Sequence, residues 1–339
     1  YINGRLWDKD IGSFKGAIPA ACKQPSGEIY VEHYGVNSRN LVPMCPYTSL
    51  WQSRIQDICQ RLVDEVGVNS IYLDQIGAAK PGLCYDPSHG HPIGGGHHWV
   101  DGYRTMLTSI KKFCIKRGVS LTTENTAEPY MDNIDAYLTW NPRYETDIPL
   151  LPAIYSGYTI YFSSPQDAGD NLDAFCAAQG RDFLWGCQLG WNSSWILEEN
   201  HRAKQKFEYE LCRYRAAARD FFLYGQLLDE LRFENEVPYM RHTWNRSRAH
   251  CVNLPAVMGT VWRAPDGRDA IFMVNVSGTA QEVSINFSEQ SCLKKRRVWK
   301  LQPLTPDELK DELKTRGSLK LKMPPHSVRA FVLPPCGIV

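Results

Sequence analysis

One grammar occurs twice in this chain and constrains its fold more than anything else in it. Trp51-Gln-Ser-Arg-Ile-Gln-Asp-Ile-Cys-Gln-Arg-Leu-Val-Asp-Glu-Val places Ile55, Ile58, Cys59, Leu62 and Val66 on one helical face. Gly67 supplies the residue that stops such a helix, and Val68-Asn-Ser-Ile-Tyr-Leu-Asp74 follows at once as a short apolar strand. Residues 102–116 repeat the scheme with Met106, Leu107, Ile110, Phe113 and Cys114 as the buried stripe, Gly118 as terminator and Val119-Ser-Leu-Thr-Thr-Glu124 as strand. Helix, glycine and strand in succession are the signature of βα units around a parallel sheet. Both strands end on a carboxylate.

The first two-thirds of the chain extend this reading. Tyr1–Trp7, Ala136–Trp140, Tyr158–Phe162 and Phe183–Leu189 read as further strands, and residues 201–231 as a long helical stretch carrying Phe207, Leu211, Tyr214 and Phe221. From about Val257 the texture changes to short alternating runs, with Asp266-Gly267 as a hairpin turn and a last strand at Val328–Leu333. At 339 residues the chain exceeds one comfortable core. The expected architecture is a (β/α)8 TIM barrel over residues 1–245, followed by a C-terminal antiparallel β-sandwich over 246–339. Six strands fall short of the eight a barrel needs. Since the first residue is Tyr rather than Met, the first strands are expected to lie upstream; the alternative is a complete barrel that uses Glu28–Glu32 as an extra strand.

Composition removes several classes of function. With 38 basic and 37 acidic side chains and a net charge of +1, the chain has no field to gather a nucleic acid. No run approaches the roughly 18 apolar residues of a membrane helix, and no secretory signal pattern opens the chain, so the compartment stays open, as does the oligomeric state. Eleven cysteines, an odd number without close regular spacing, read mostly as free thiols. Asn192-Ser-Ser and Asn245-Arg-Ser match the glycosylation sequon.

In a parallel barrel the carboxyl ends of the strands face the active site, so Asp74 and Glu124 converge at one mouth. Neighbouring strands lie about 4.8 Å apart, close to the roughly 5 Å that separates the nucleophile and acid/base of a retaining glycosidase. Asp74 is read as nucleophile and Glu124 as general acid/base, with Glu128 as the alternative acid/base. Asp135, at the start of the next strand, is read as structural.

Tyr72-Leu-Asp74-Gln-Ile, then Cys84, Asp86, His89-Gly-His91-Pro and Gly94-Gly-Gly-His-His-Trp99, then Thr122-Thr-Glu124, resembles an uncharacterised bacterial family of glycosidase-like TIM barrels. More remotely it is similar to the endo-α-N-acetylgalactosaminidases and the melibiase-type α-galactosidases. The resemblance covers the barrel region and extends to the β-sandwich. It implies hydrolysis of a glycan, with the nucleophile at Asp74 and, from the first of these groups, the acid/base at Glu124. The His/Gly loop is absent from those characterised enzymes, so the sugar is not implied.

That loop holds His89, His91, His97 and His98, with Cys84 and Asp86 just upstream, a density that invites a metal reading. It has no fixed pair such as His-x-x-x-His, and the preferred reading is a sugar-binding loop in which the imidazoles donate to hydroxyls and Trp99 offers a stacking face, with neither metal nor cofactor. Arg5, Trp7, Asp8, Cys45, Tyr72, Gln75, Trp140 and Trp191 are further candidates for an oligosaccharide or glycoconjugate pocket. Two other functions compete: a non-catalytic carbohydrate-binding protein on the same scaffold, and a metal-dependent hydrolase built on the histidine loop.

Overall fold

The computed structural model describes residues 2–34, 39–139, 144–245, 249–293, 299–305, 313–315 and 317–335. Their contacts form two compact units, Tyr1–Thr139 and Trp140–Val339.

The first unit contains β1 (Ile2–Asn3), β2 (Leu6–Asp8), β3 (Leu41–Pro43), α1 (Ser49–Asp64), β4 (Ser70–Asp74), α2 (His98–Arg117), β5 (Ser120–Glu124) and β6 (Ala136–Leu138). Strands β1, β4, β5 and β6 pair in that order, all parallel, while β2 and β3 form an antiparallel pair. Both α1 and α2 lie where the apolar spacing puts them, and Gly67 and Gly118 adopt φ of 77° and 65° after them. The α1 stripe ends early: the helix stops at Asp64, and Val66 is exposed. In β4, Ile71 and Leu73 are buried while Tyr72 and Asp74 turn to the other face; β5 repeats this with Leu121 and Thr123 against Thr122 and Glu124. The amino end of α2 is packed tightly. A Cβ on Gly102 would stand 2.5 Å from the Pro46 carbonyl carbon, and Tyr103 Oη donates to the Gly4 carbonyl at 3.2 Å.

The second unit contains α3 (Leu150–Tyr155), β7 (Ile160–Phe162), α4 (Leu172–Leu184), α5 (Arg202–Ala217), α6 (Arg219–Phe222), β8 (Gln226–Glu230), β9 (Tyr239–Trp244), β10 (His250–Pro255), β11 (Val257–Arg263), β12 (Asp269–Asn275), β13 (Gln281–Asn286), β14 (Trp299–Pro303), β15 (Leu313–Thr315), β16 (Ser318–Met323) and β17 (Ser327–Leu333). A six-stranded antiparallel sheet runs β15-β14-β17-β12-β11-β8. Every residue of β12 is buried, because both its faces are covered. Phe272 meets Phe183 of α4 edge to face at 5.8 Å, while Ile271 and Met273 join Val283, Ile285 and Met323 of the β13–β16 pair in one apolar cluster. The expected turn at Asp266-Gly267 joins β11 to β12, with Gly267 at φ 85°.

Four expectations change. The strand read at Phe183–Leu189 does not form: Phe183 and Leu184 end α4, and one isolated bridge, Phe162 to Gln188, marks the region. Residues 226–230, placed in the helical stretch, form β8 and pair with β11. Tyr1–Trp7 splits into β1 and β2, which pair in different directions. Glu28–Glu32 contributes only isolated bridges, Lys23 to Ile29 and Glu32 to Leu41. Among the described residues no helix is long and apolar enough to cross a membrane.

Candidate active site

Asp74 and Glu124 end β4 and β5 on one face of the sheet. The two strands run in register, Tyr72 opposite Thr122 and Leu73 opposite Thr123, so the carboxylates stand side by side. The residue after each is held in the left-handed region, Gln75 at φ 66° and Asn125 at φ 56°, conformations that cost a non-glycine residue energy and cluster at functional sites. The turn at Gln75 presents its backbone N–H to both carboxyl groups.

Partners and burial differentiate the pair. Burial raises Asp74 above the ordinary carboxylate range, opposed by hydrogen bonds from Tyr72, the Gln75 amide and Glu124. Burial also raises Glu124, and the neighbouring Asp74 charge adds to it. The contact between the two carboxyls therefore favours a proton on Glu124 and a charge on Asp74. Asn3, at the end of β1, completes the support. Its Nδ2 donates to Asp74 Oδ2 at 3.4 Å, while its Oδ1 accepts from the Arg5 and Leu6 amides at 3.0 and 2.8 Å. Beneath the pair, Gly77 leaves no room for a side chain, since a Cβ there would lie 2.6 Å from the Glu124 carbonyl oxygen.

Other candidates are placed differently. Glu128 is exposed and begins a 3-10 turn, Glu128–Tyr130, beyond the end of β5. Arg5 is 4% exposed and grips Glu32 through two 2.6 Å bonds, with its guanidinium over Trp99. Trp99 is buried, which removes it as an open stacking face. Trp7 packs on Trp51 at 5.8 Å, and Asp8 caps its own turn through the Asp10 amide. Asp135 accepts from the Leu121 amide and pairs with Lys111. Trp191 lies half-buried in the second unit, and Trp140 falls outside the described residues. Neither sequon asparagine has an idle amide: Asn192 Nδ2 binds Glu208 at 2.6 and 2.7 Å, and Asn245 Nδ2 binds Asp170 at 3.1 Å.

The histidine loop folds inward. His89, His91 and His98 are buried, and His97 alone of the four is exposed, just ahead of α2. His91 stacks on His98 at 4.0 Å. Cys45, Cys84, His89 and His91 converge so that their donor atoms all lie within 4.8 Å of one another, a set that could hold a metal ion. Hydrogen bonds from the Cys22 and Cys45 thiols hold Cys84 well below the usual thiol range. The imidazoles of His89, His91 and His98 are thus packed inside the protein rather than presented as an open face. Asn3 and Asn125 are the site residues that the sequence reading left out. Asn3 carried a signal, since it closes an apolar strand just as Asp74 does.

Residues 1–165 match the model of a family described as a domain of unknown function, DUF6259. A Bacteroides thetaiotaomicron protein named "Putative glycoside hydrolase" is 31% identical over 308 residues, 87% of this chain and 44% of its own length. A Monosiga brevicollis protein named "Putative glycoside hydrolase 22789" is 32% identical over 210 residues, 57% of this chain and 18% of its own. The chain thus spans less than half the length of the curated relatives it matches. In structure it is similar to a noncanonic maltogenic α-amylase from Thermotoga neapolitana, with a TM-score of 0.61 and 12% identity over 98% of this chain and 76% of that one. The chain therefore resembles glycosidase-like proteins in sequence and shares its fold with a glycosidase.

Proposed function

We propose that this chain carries the catalytic carboxylates of a retaining glycoside hydrolase, on the β/α part of a (β/α)8 barrel extending to about residue 245 and followed by an antiparallel β-sandwich. The observation that carries the reading is the placement of Asp74 and Glu124 side by side at the carboxyl ends of adjacent parallel strands paired in register. Carboxyl groups on neighbouring strands, about 4.8 Å apart, suit the roughly 5 Å separation of retaining pairs better than the 6.5–9.5 Å that inverting enzymes leave for water. Names of relatives and the shared fold point the same way.

In the proposed mechanism Asp74, ionised and aimed by Asn3, Tyr72 and the Gln75 amide, attacks the anomeric carbon while Glu124 gives its proton to the leaving oxygen. The resulting glycosyl ester on Asp74 is opened by water, from which Glu124 takes a proton. The substrate is an oligosaccharide or glycoconjugate. The test is hydrolysis of a panel of aryl α- and β-glycosides by the longest natural form of the protein, beside Asp74→Asn and Glu124→Gln. Cleavage of one glycoside with retained anomeric configuration, lost by several orders of magnitude in both variants, supports the reading. Glycan binding without turnover would move a non-catalytic carbohydrate-binding role ahead.

A further inference from the structure

We propose that Cys45, Cys84, His89 and His91 bind one zinc ion, and that this ion is structural. The four residues come from two loops. Cys45 follows β3, and the other three lie in the connection from β4 to α2, where Pro87–His89 forms a 3-10 turn. All four are buried, and their donor atoms lie within 4.8 Å of one another. Cys45 Sγ is 3.4 Å from His91 Nε2, and Cys84 Sγ is 3.3 Å from His89 Nδ1. A tetrahedral zinc with Zn–S of about 2.3 Å and Zn–N of about 2.0–2.1 Å separates its ligands by roughly 3.3–3.8 Å, so these two edges already have the required length.

The tautomers are set for the task. His89 Nε2 lies 2.8 Å from the Pro19 carbonyl and His91 Nδ1 lies 2.8 Å from the Pro92 carbonyl. A carbonyl only accepts, so those nitrogens carry the protons, and the lone pairs of His89 Nδ1 and His91 Nε2 face the sulfurs. Asp86, itself buried and paired with Lys23 at 2.6 Å, stands 3.4 Å from His89 Nε2. This is the carboxylate support that orients metal-bound histidines. Two separate S–H to N bonds would satisfy each pair alone, but they do not require all four donors to meet at one point. Two thiolates and two neutral imidazoles suit zinc and cancel its charge; four protein ligands leave no position for a reacting water. The ion would tie the loop after β3 to the loop that begins at Gln75, beside Asp74.

Binding releases one proton from each Cys–His pair to solvent as Zn²⁺ takes its place. The test is elemental analysis of reduced, purified protein, with cobalt(II) titration of the chelator-stripped protein. About one zinc per chain is expected, together with the visible absorption of tetrahedral cobalt bearing thiolates. Cys45→Ala and His91→Ala should lose both, while Cys59→Ala, a buried thiol of α1 outside the cluster, should keep both. Chelation should lower the thermal midpoint of the parent protein and leave that of His91→Ala unchanged. Should these variants not fold, the cobalt spectrum of the parent decides alone. Folded, reduced protein that takes up neither metal, or a disulfide joining Cys45 to Cys84, overturns the proposal. Metal content and spectrum are read without a substrate, so this result and the glycosidase reading stand or fall separately.

Discussion

Gln75 and Asn125 share one backbone conformation, φ 66° and 56°, each a single residue beyond a carboxylate that ends a parallel strand. For an L-residue the left-handed region costs about 1–2 kcal/mol, and glycine is exempt. Asn125→Gly should therefore leave stability unchanged or raise it by up to about 1 kcal/mol, whereas Asn125→Val should lower it by about 1–2 kcal/mol. Urea denaturation of the two variants checks the sign. Equal loss in both would show that the Asn125 side chain, not its φ, matters.

The raised carboxyls give a pH signature. Both Asp74 and Glu124 titrate above their ordinary values in the folded chain, so in that window the native state holds protons the unfolded chain has lost. Stability fully present below about pH 4 is then lost as pH rises through the folded values. Asp74→Asn cannot ionise and escapes its share. Its thermal midpoint relative to the parent should rise between about pH 4 and pH 7; a difference constant with pH would refute the linkage.

Gly77→Ala should be costly although the substitution is small. Its Cβ would sit 2.6 Å from the Glu124 carbonyl oxygen and 2.8 Å from that of Asn125, and backbone cannot swing aside as a side-chain tip can. A loss of about 1–3 kcal/mol is expected, as for overpacking elsewhere. Activity should fall further than stability, because the displaced segment carries Glu124.

Glu32→Ala removes the partner of a guanidinium that is 4% exposed. Breaking a fully buried pair costs about 3–5 kcal/mol; the Glu32 carboxylate is 30% exposed, so about 2–3 kcal/mol is expected here. Arg5 holds Glu32 below the ordinary carboxylate range, so this stabilisation is present above about pH 4.5 and is lost as pH falls through the lower folded value. Chemical denaturation at neutral and at acid pH should show the variant and parent converging in acid.

The strands that carry Asp74 and Glu124 were legible because each follows an amphipathic helix and a glycine stop, a pattern with little competition. Helix α4 was not. Ala174 through Leu184 are all buried, the polar Gln179, Arg181 and Asp182 among them, so burial does not follow the apolar pattern, and Phe-Leu-Trp-Gly-Cys-Gln-Leu reads equally well as a buried strand. Residues 226–230 were taken into the preceding helix because β8 follows α6 after only a short turn. The Cys/His cluster was hidden for another reason. Cys45 precedes Cys84 by a helix and a strand, so no short spacing links them, and only the fold brings them together. Arg5 and Trp99 looked like pocket residues because large polar and aromatic side chains near strand ends serve packing and binding alike.

Asn3 divides its amide between two tasks, the oxygen holding its own turn and the nitrogen reaching Asp74. The next residue is Gly4, and Asn-Gly is the dipeptide most open to spontaneous deamidation. The Gly4 nitrogen attacks the Asn3 side-chain carbonyl, ammonia leaves, and water opens the succinimide to aspartate or isoaspartate, either of which replaces the donor with a negative charge near Asp74. The protein would age at this one position into a form that has lost the amide donor to Asp74, so the history of a sample, as well as its sequence, would set the charge balance of this site.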